Sequence, residues 1–259
     1  PERAAELRDM ERIAESTNFP IVGPASGQLC YLVARMIGAH RVFELGSGYG
    51  YSTAWFARAV RENGGGEVHH VVWDVDLSKR ARKHLEQLGY TDLVRYHVAE
   101  AVETLRATEG PFDLIFNDIT KRDYPASIDV ILRKLRRGGV LIIDNLLWSG
   151  RILDPADQSP DTEGVRAVTR LIMESPDWIA SIVPVRDGVL VASFRTKMHT
   201  VDDQVMAGLQ QAIGVAENDF RALVVWQPKE PFSAGANLAG ALGLLKAGDV
   251  AGFEAMVAN

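Results

Sequence analysis

The stretch Val42-Phe43-Glu44-Leu45-Gly46-Ser47-Gly48-Tyr49-Gly50-Tyr51-Ser52-Thr53 decides how the rest of this chain is read. An apolar run meets an acid, Glu44, and then glycine at every second position, Gly46, Gly48 and Gly50. Ser52 and Thr53 open what reads as a helix, Ala54 to Arg61. A strand that turns through glycines into a helix N-terminus is a ligand cradle. Glycine permits positive φ and lets a ligand approach the main chain, while the helix end presents free N–H groups. The spacing is G-x-G-x-G, not the G-x-G-x-x-G of dinucleotide binders.

Working outward, strands and helices alternate. Val68 to Trp73, Leu93 to Val98, Phe112 to Asn117 and Val140 to Ile143 read as strands two to five after Arg41 to Leu45. Helices are expected at about Ser26 to Ile37, Ser78 to Leu88, Ala101 to Thr108, Pro125 to Leu135 and Glu163 to Ser175, with a polar-faced one in Pro1 to Ser16. Such alternation predicts a doubly wound α/β fold with a mostly parallel sheet between helices. Arg186-Asp187-Gly188 lies between Trp178 to Val185 and Val189 to Phe194, so the sheet is expected to end in an antiparallel hairpin as its sixth and seventh strands.

The whole chain has 259 residues, with 28 Lys+Arg against 34 Asp+Glu and a net charge of −6. That balance gives no reason to expect nucleic acid or an anionic membrane as partner. Cys30 is the single cysteine, which excludes an internal disulfide and a cysteine metal cluster. No apolar run is long enough to span a bilayer and no signal peptide is seen, so a cytoplasmic protein is expected. The chain opens at Pro1 without an initiator methionine, as a fragment would.

Ligands of an open α/β sheet bind beyond the carboxyl ends of its strands. Those ends deliver Glu44, Asp74, Glu100-Ala101, Asp118 with Lys121, and Asp144-Asn145. Each acid taken singly is as well explained by a helix cap or a solvated turn. The last two ends together are not. Asp118, Asp144 and Asn145 offer three hard oxygen ligands from neighbouring strands, a set that suits Mg²⁺ or Ca²⁺ rather than zinc. Asp144 and Asn145 can share a ligand only where the strand has begun to turn, because consecutive strand residues face opposite ways.

The strand-end acid two residues before the first glycine is also the arrangement of S-adenosylmethionine sites. FELGSGYGYSTAWFA, FDLIFNDITKRDYP, GGVLIIDNLLWSG and PVRDGVLVA together resemble the cation-dependent class I O-methyltransferases, the catechol and caffeoyl-CoA type, over residues 11–192. The resemblance implies a Rossmann-like seven-stranded fold that binds S-adenosyl-L-methionine and a divalent cation such as Mg²⁺. It places the metal on Asp118, Asp144 and Asn145, the trio already reached from chemistry, and makes Lys121 the general base. It puts Glu44, Gly46, Ser47, Ser52 and Asp118 around the donor, Asp74 on the ribose and Ala101 near the adenine. Two departures stand out. Glu100 replaces a frequent Asp, and Asn117-Asp118-Ile119-Thr120 replaces the commoner D-A-D, leaving one carboxylate in that loop.

The implied reaction is methyl transfer to a hydroxyl of a catechol-like or hydroxycinnamoyl-type phenol. A free phenol ionises near pH ~10 and is a poor nucleophile at neutrality. Vicinal hydroxyls on a divalent cation are both acidified and aimed. Trp148 is either a stacking wall for the acceptor or a packed core residue. His69, His70, His84 and His97 lack ligand spacing and read as structural. Competing readings are an NAD-linked dehydrogenase, disfavoured by the glycine spacing, and a non-enzymatic donor-binding module. Relatives of this type are often dimers, so the resemblance implies a homodimer.

From about Ser193 the text changes. FRALVVWQPKEPFSAGANL resembles the oxyanion-loop region of the crotonase superfamily, with Ala236 at the position of a backbone donor. The organisation expected is a methyltransferase domain over residues 1–195 and an incomplete, truncated crotonase-like α/β segment over 196–259. The second donor and the catalytic acids of that family lie in later sequence which this chain lacks, so no enzymatic role is expected for the segment.

Overall fold

The computed structural model describes residues 4–174, 178, 180–183, 185, 189–192, 208–213 and 222–225. Two units are distinguished, residues 1–180 and residues 181–259.

In the first unit five strands form one parallel sheet. β1 is Arg41–Leu45, β2 Glu67–Val72, β3 Val94–Val98, β4 Phe112–Asn117 and β5 Leu135–Ile143. Their order is β3-β2-β1-β4-β5. The chain therefore builds outward from β1 to β3, then crosses back to place β4 on the other side of β1. That reversal opens a crevice beyond the carboxyl ends of β1 and β4, where such sheets bind ligands. The register aligns Leu45 with Val71 on β2 and with Asn117 on β4, and Asn117 with Ile143 on β5. The glycine turn, Asp118 and Asp144 therefore emerge side by side.

Among the described residues seven α-helices accompany the sheet: α1 Ala5–Thr17, α2 Gly23–Met36, α3 Tyr51–Glu62, α4 Val75–Gln87, α5 Ala101–Ala107, α6 Tyr124–Lys134 and α7 Pro160–Met173. Strand alternation divides the core in two. Val42, Val68 and Leu114 face one cluster with Tyr49, Trp55 and Phe56. Phe43, Leu45, Val71 and Ile115 face another with Leu105, Tyr124, Ile131 and Val168. A sheet buried on both faces explains why its strands read as nearly continuous apolar runs. Among the described residues no helix is long and apolar enough to cross a membrane.

Several boundaries differ from the expectations, each for a local reason. α3 begins at Tyr51, not Ala54, because Gly50 caps it in a left-handed conformation (φ 93°) and Ser52 and Thr53 already lie in its first turn. α2 begins at Gly23, not Ser26, with Pro24 in its first turn, since proline is tolerated where the first helical N–H groups have no partner. β5 starts at Leu135 and absorbs the Gly138-Gly139 pair as an irregularity, with Gly138 at φ 69° and the pairing to β4 shifting between Phe112 and Leu114.

The second unit contains β6, Val189–Ala192, and β7, Ala222–Val225. The two pair in parallel in a two-stranded sheet of their own. This departs from the expected seven-stranded sheet with an antiparallel hairpin. The first unit's sheet has five strands, and the described partner of β6 comes from later sequence. Residues 208–213 are helical. Parts of Trp178 to Val185, and the crotonase-like loop Phe232 to Leu238 with Ala236, lie outside the described residues.

Candidate active site

Gly46 is the first residue beyond β1. Its φ is +87°, and a Cβ there would sit 2.4 Å from the Asp118 carbonyl oxygen. Only glycine fits, because the loop after β4 runs directly against the loop after β1. The two are tied by a bond from Asp118 N–H to Leu45 O of 2.8 Å. Ser47 fastens the same turn to β2. Its N–H donates to Val71 O at 2.9 Å, and its hydroxyl accepts from Val71 N–H at 3.0 Å. Ser47 and Ser52 are buried, so both sit under the cradle, whereas Gly46 is partly open to solvent.

Glu44 lies one layer below. It is wholly buried, and its Oε2 accepts from the Thr53 hydroxyl at 2.5 Å. Burial pushes its carboxyl up to about 7, against the opposing pull of the Ser52, Thr53 and Ser47 hydroxyls. Asp74 is the N-cap of α4, where Oδ1 accepts from Asp76 N–H at 2.8 Å and Leu77 N–H at 3.0 Å. Glu100 caps α5 in the same way, through Val102 and Glu103 N–H, beside Ala101. For these two acids the plain capping explanation holds. The cap bonds both go to Oδ1, and Asp74 is partly open to solvent.

Asp118 and Asp144 behave differently. They occupy equivalent places after paired β4 and β5, and Asp144 N–H donates to Asn117 O at 3.2 Å. Neither caps a helix: the turn after Asp118 starts from Thr120, and the one after Asn145 starts from Leu147. Asn145 takes φ 60°, so the backbone has left the strand by that residue, as sharing a site with Asp144 requires. Lys121 Nζ lies 2.5 Å from Asp118 Oδ1 and 3.3 Å from Ile119 O, and its side chain is 11% exposed. The Lys121 ammonium also sits 5.1 Å from the centre of the Tyr124 ring and 5.9 Å from that of Trp148, within cation–π range. Trp148 is half-buried against the second core cluster, so it is both packed and at the site.

Tyr124 was not a candidate from sequence. Its hydroxyl donates to Asp144 O at 3.0 Å, and burial first, then the Asp118 and Asp144 charges, hold its pKa well above the usual phenol range. Only the β4–β5 pairing brings it there. Thr53 and His70 were missed likewise, since their link to Glu44 runs between α3, β2 and β1. His69 and His97 stack with rings 5.2 Å apart and join through Nδ1 and Nε2 at 3.0 Å, inside the fold.

Among the described residues no three His, Cys, Asp or Glu side chains converge to hold a metal ion. A cation here would rest on two carboxylates and the Asn145 amide.

The O-methyltransferase family model matches residues 2–195. The chain belongs to that family. A catechol O-methyltransferase from Niastella koreensis is 31% identical over 155 residues, 58% of this chain and 69% of that protein. Another from Mycobacterium tuberculosis is 32% identical over 181 residues, 70% and 78% of the two chains. The solved O-methyltransferase from Bacillus cereus in complex with SAH aligns with a TM-score of 0.62 at 29% identity, covering 68% of this chain and 81% of that one. The protein is thus an S-adenosylmethionine-dependent O-methyltransferase, and the dehydrogenase and non-enzymatic readings fall.

Proposed function

We propose that this O-methyltransferase methylates a phenolic hydroxyl of a catechol-like or hydroxycinnamoyl-type acceptor, with a divalent cation held by Asp118, Asp144 and Asn145. The observation that carries the reading is the side-by-side emergence of Asp118 and Asp144 from paired strands, with Lys121 on Asp118. The donor set fits the group. Two carboxylates and one amide are hard oxygen ligands, both acids are partly open to solvent, and neither is spent on a helix cap. The catechol O-methyltransferase relatives support a small phenolic acceptor.

The chain's own residues divide the work. Gly46 and its neighbours cradle the donor, Asp74 offers its second carboxylate oxygen to a ribose hydroxyl, and Ala101 lies by the adenine. Trp148 and Tyr124 wall the acceptor side and exclude water around Lys121. In the ion pair with Asp118, Lys121 is an ammonium and cannot accept a proton. A divalent cation held by Asp118, Asp144 and Asn145 would supply Lewis acidity toward paired hydroxyls, and Lys121 would act as base once its own proton had passed to solvent. The methyl group then moves in line from sulfur to the phenol oxygen, and the sulfonium loses its charge. We further assign the methyltransferase domain to residues 1–195, regard 196–259 as a separate crotonase-like segment, and expect a homodimer.

The test is methyl transfer over a panel of catechols and hydroxycinnamoyl esters. Turnover should vanish in chelator and return with Mg²⁺, and Asp144→Asn should lower it at least tenfold with donor affinity intact. Full turnover in excess chelator rules out the metal assignment.

A further inference from the structure

The mechanism above leaves one buried acid without a task. Glu44 shares the sheet face of Val42, turned away from Phe43 and Leu45 and toward α3. Its Oε1 is buried without a hydrogen-bond partner, and among the described residues Glu44 makes no ion pair. The titratable groups that reach it are few. Asp118 approaches from the end of β4 as a like charge. The Cys30 thiol faces it from α2, itself buried and pushed up by burial, with Asp144, Glu44 and Asp118 adding to the rise. β2 contributes His70, whose Nδ1 lies 3.0 Å from the Thr53 hydroxyl. His70 is wholly buried, its Nε2 has no partner, and burial takes it down to about 3, so it stays neutral. α3 and the glycine turn contribute only the hydroxyls of Ser52, Thr53 and Ser47. An ionised carboxylate among such groups is costly, because nothing of opposite charge offsets its lost hydration.

The chain Glu44–Thr53–His70 is self-consistent in two directions. With Glu44 protonated, Oε2–H donates to the Thr53 oxygen and Thr53 donates to His70 Nδ1. With Glu44 ionised, the Thr53 hydroxyl turns to Oε2, and His70 completes the chain as its Nδ1–H tautomer. A hydroxyl serves both settings because it is one donor and two acceptors.

We propose that Glu44 is the charge-selective residue of the donor site: it is neutral in the free protein, ionises when the cationic sulfonium donor binds above it, and takes a proton back when methyl transfer leaves a neutral thioether. The proton passes to solvent on donor binding. On transfer the sulfur–methyl bond breaks, its electron pair stays on sulfur, and Glu44 recovers a proton from solvent. Donor and product would thus be told apart by charge in a site that holds the rest of both molecules alike. The inference rests on donor binding by this O-methyltransferase and needs neither the proposed metal nor the acceptor.

The sign follows from linkage. Below about pH 7 the donor must expel a proton from Glu44, so its affinity rises with pH until Glu44 is already ionised. Donor affinity should therefore be about tenfold higher at pH 8 than at pH 6, measured relative to Glu44→Gln. Calorimetric titration of the full chain with S-adenosylmethionine and with S-adenosylhomocysteine, in buffers of different ionisation heat and without metal or acceptor, reads the protons directly. Near pH 6 the wild type should release close to one proton per donor and almost none per product, and Glu44→Gln should release none with either. Equal release with both ligands overturns the proposal through the wild type alone, whether or not the variant folds. Release by a folded Glu44→Gln equal to that of the wild type overturns it as well.

Discussion

Gly164 touches no substrate, yet replacing it should disable the proposed base. It is buried in α7, against the turn that carries Lys121. A Cβ at position 164 would lie 2.3 Å from Lys121 O, 2.6 Å from Arg122 Cα and 2.8 Å from Lys121 C. Ordinary contact begins near 3.4 Å, and all three atoms are backbone, so in Gly164→Ala the turn must retreat by about 1 Å. Moved that far, Lys121 Nζ is carried off its place beside Asp118 and away from the acceptor hydroxyl it is proposed to deprotonate. A misplacement of this size costs on the order of 10²-fold in rate, about 2.7 kcal/mol of barrier. Global stability should fall by no more than about 2 kcal/mol. Overpacking costs about 1–3 kcal/mol, while alanine regains about 1 kcal/mol over glycine in a helix interior. The assay pairs kcat with the donor Kd and the melting temperature. The expected result is a hundredfold loss of kcat with donor affinity unchanged, because the glycine turn is held separately by β2 and β4. A folded Gly164→Ala protein with wild-type kcat would refute the positional argument for Lys121.

Two further outcomes are expected. Asp74→Ser should keep the α4 cap and the melting temperature, since serine caps helices nearly as well, yet weaken S-adenosylmethionine binding by about 1.5–3 kcal/mol through loss of the second oxygen; unchanged affinity would move the ribose contact elsewhere. A chain ending at Arg195 should retain the five-stranded sheet and bind the donor like the full chain, although β6 loses its β7 partner; loss of donor binding in circular dichroism-checked, folded protein would show that residues 196–259 belong to the methyltransferase.

Much of this fold could be read before the coordinates, because its signals are local. Glycine alternation after β1 and the alternation of strands and helices each act over a few residues. The errors came where a local signal has two physical outcomes. The expected fifth strand starts only at Val140, after the Gly138-Gly139 pair, but positive φ at Gly138 serves an irregularity within a strand that begins at Leu135. Arg186-Asp187-Gly188 reads as a hairpin; that turn lies outside the described residues, and the described pairing of β6 is with β7, in parallel.

The site divides along the same line. Strand-end acids were legible as a set, and the fold now sorts them by what each carboxylate is already bonded to. Asp74 and Glu100 turn back on the N–H groups two and three residues ahead, a contact their own sequence neighbours supply. Asp118 and Asp144 are followed by a 3₁₀ turn and a left-handed residue, which offer them no such N–H groups. Asp118 is met instead by a side-chain charge, that of Lys121 three residues on. Tyr124, Thr53, His70 and Gly164 carry no motif because each acts across a helix–strand or helix–turn contact that exists only once the sheet has assembled. An acid that does not cap the backbone of the next helix is thus the better guide to chemistry, and the residues that tune it have to be found in three dimensions.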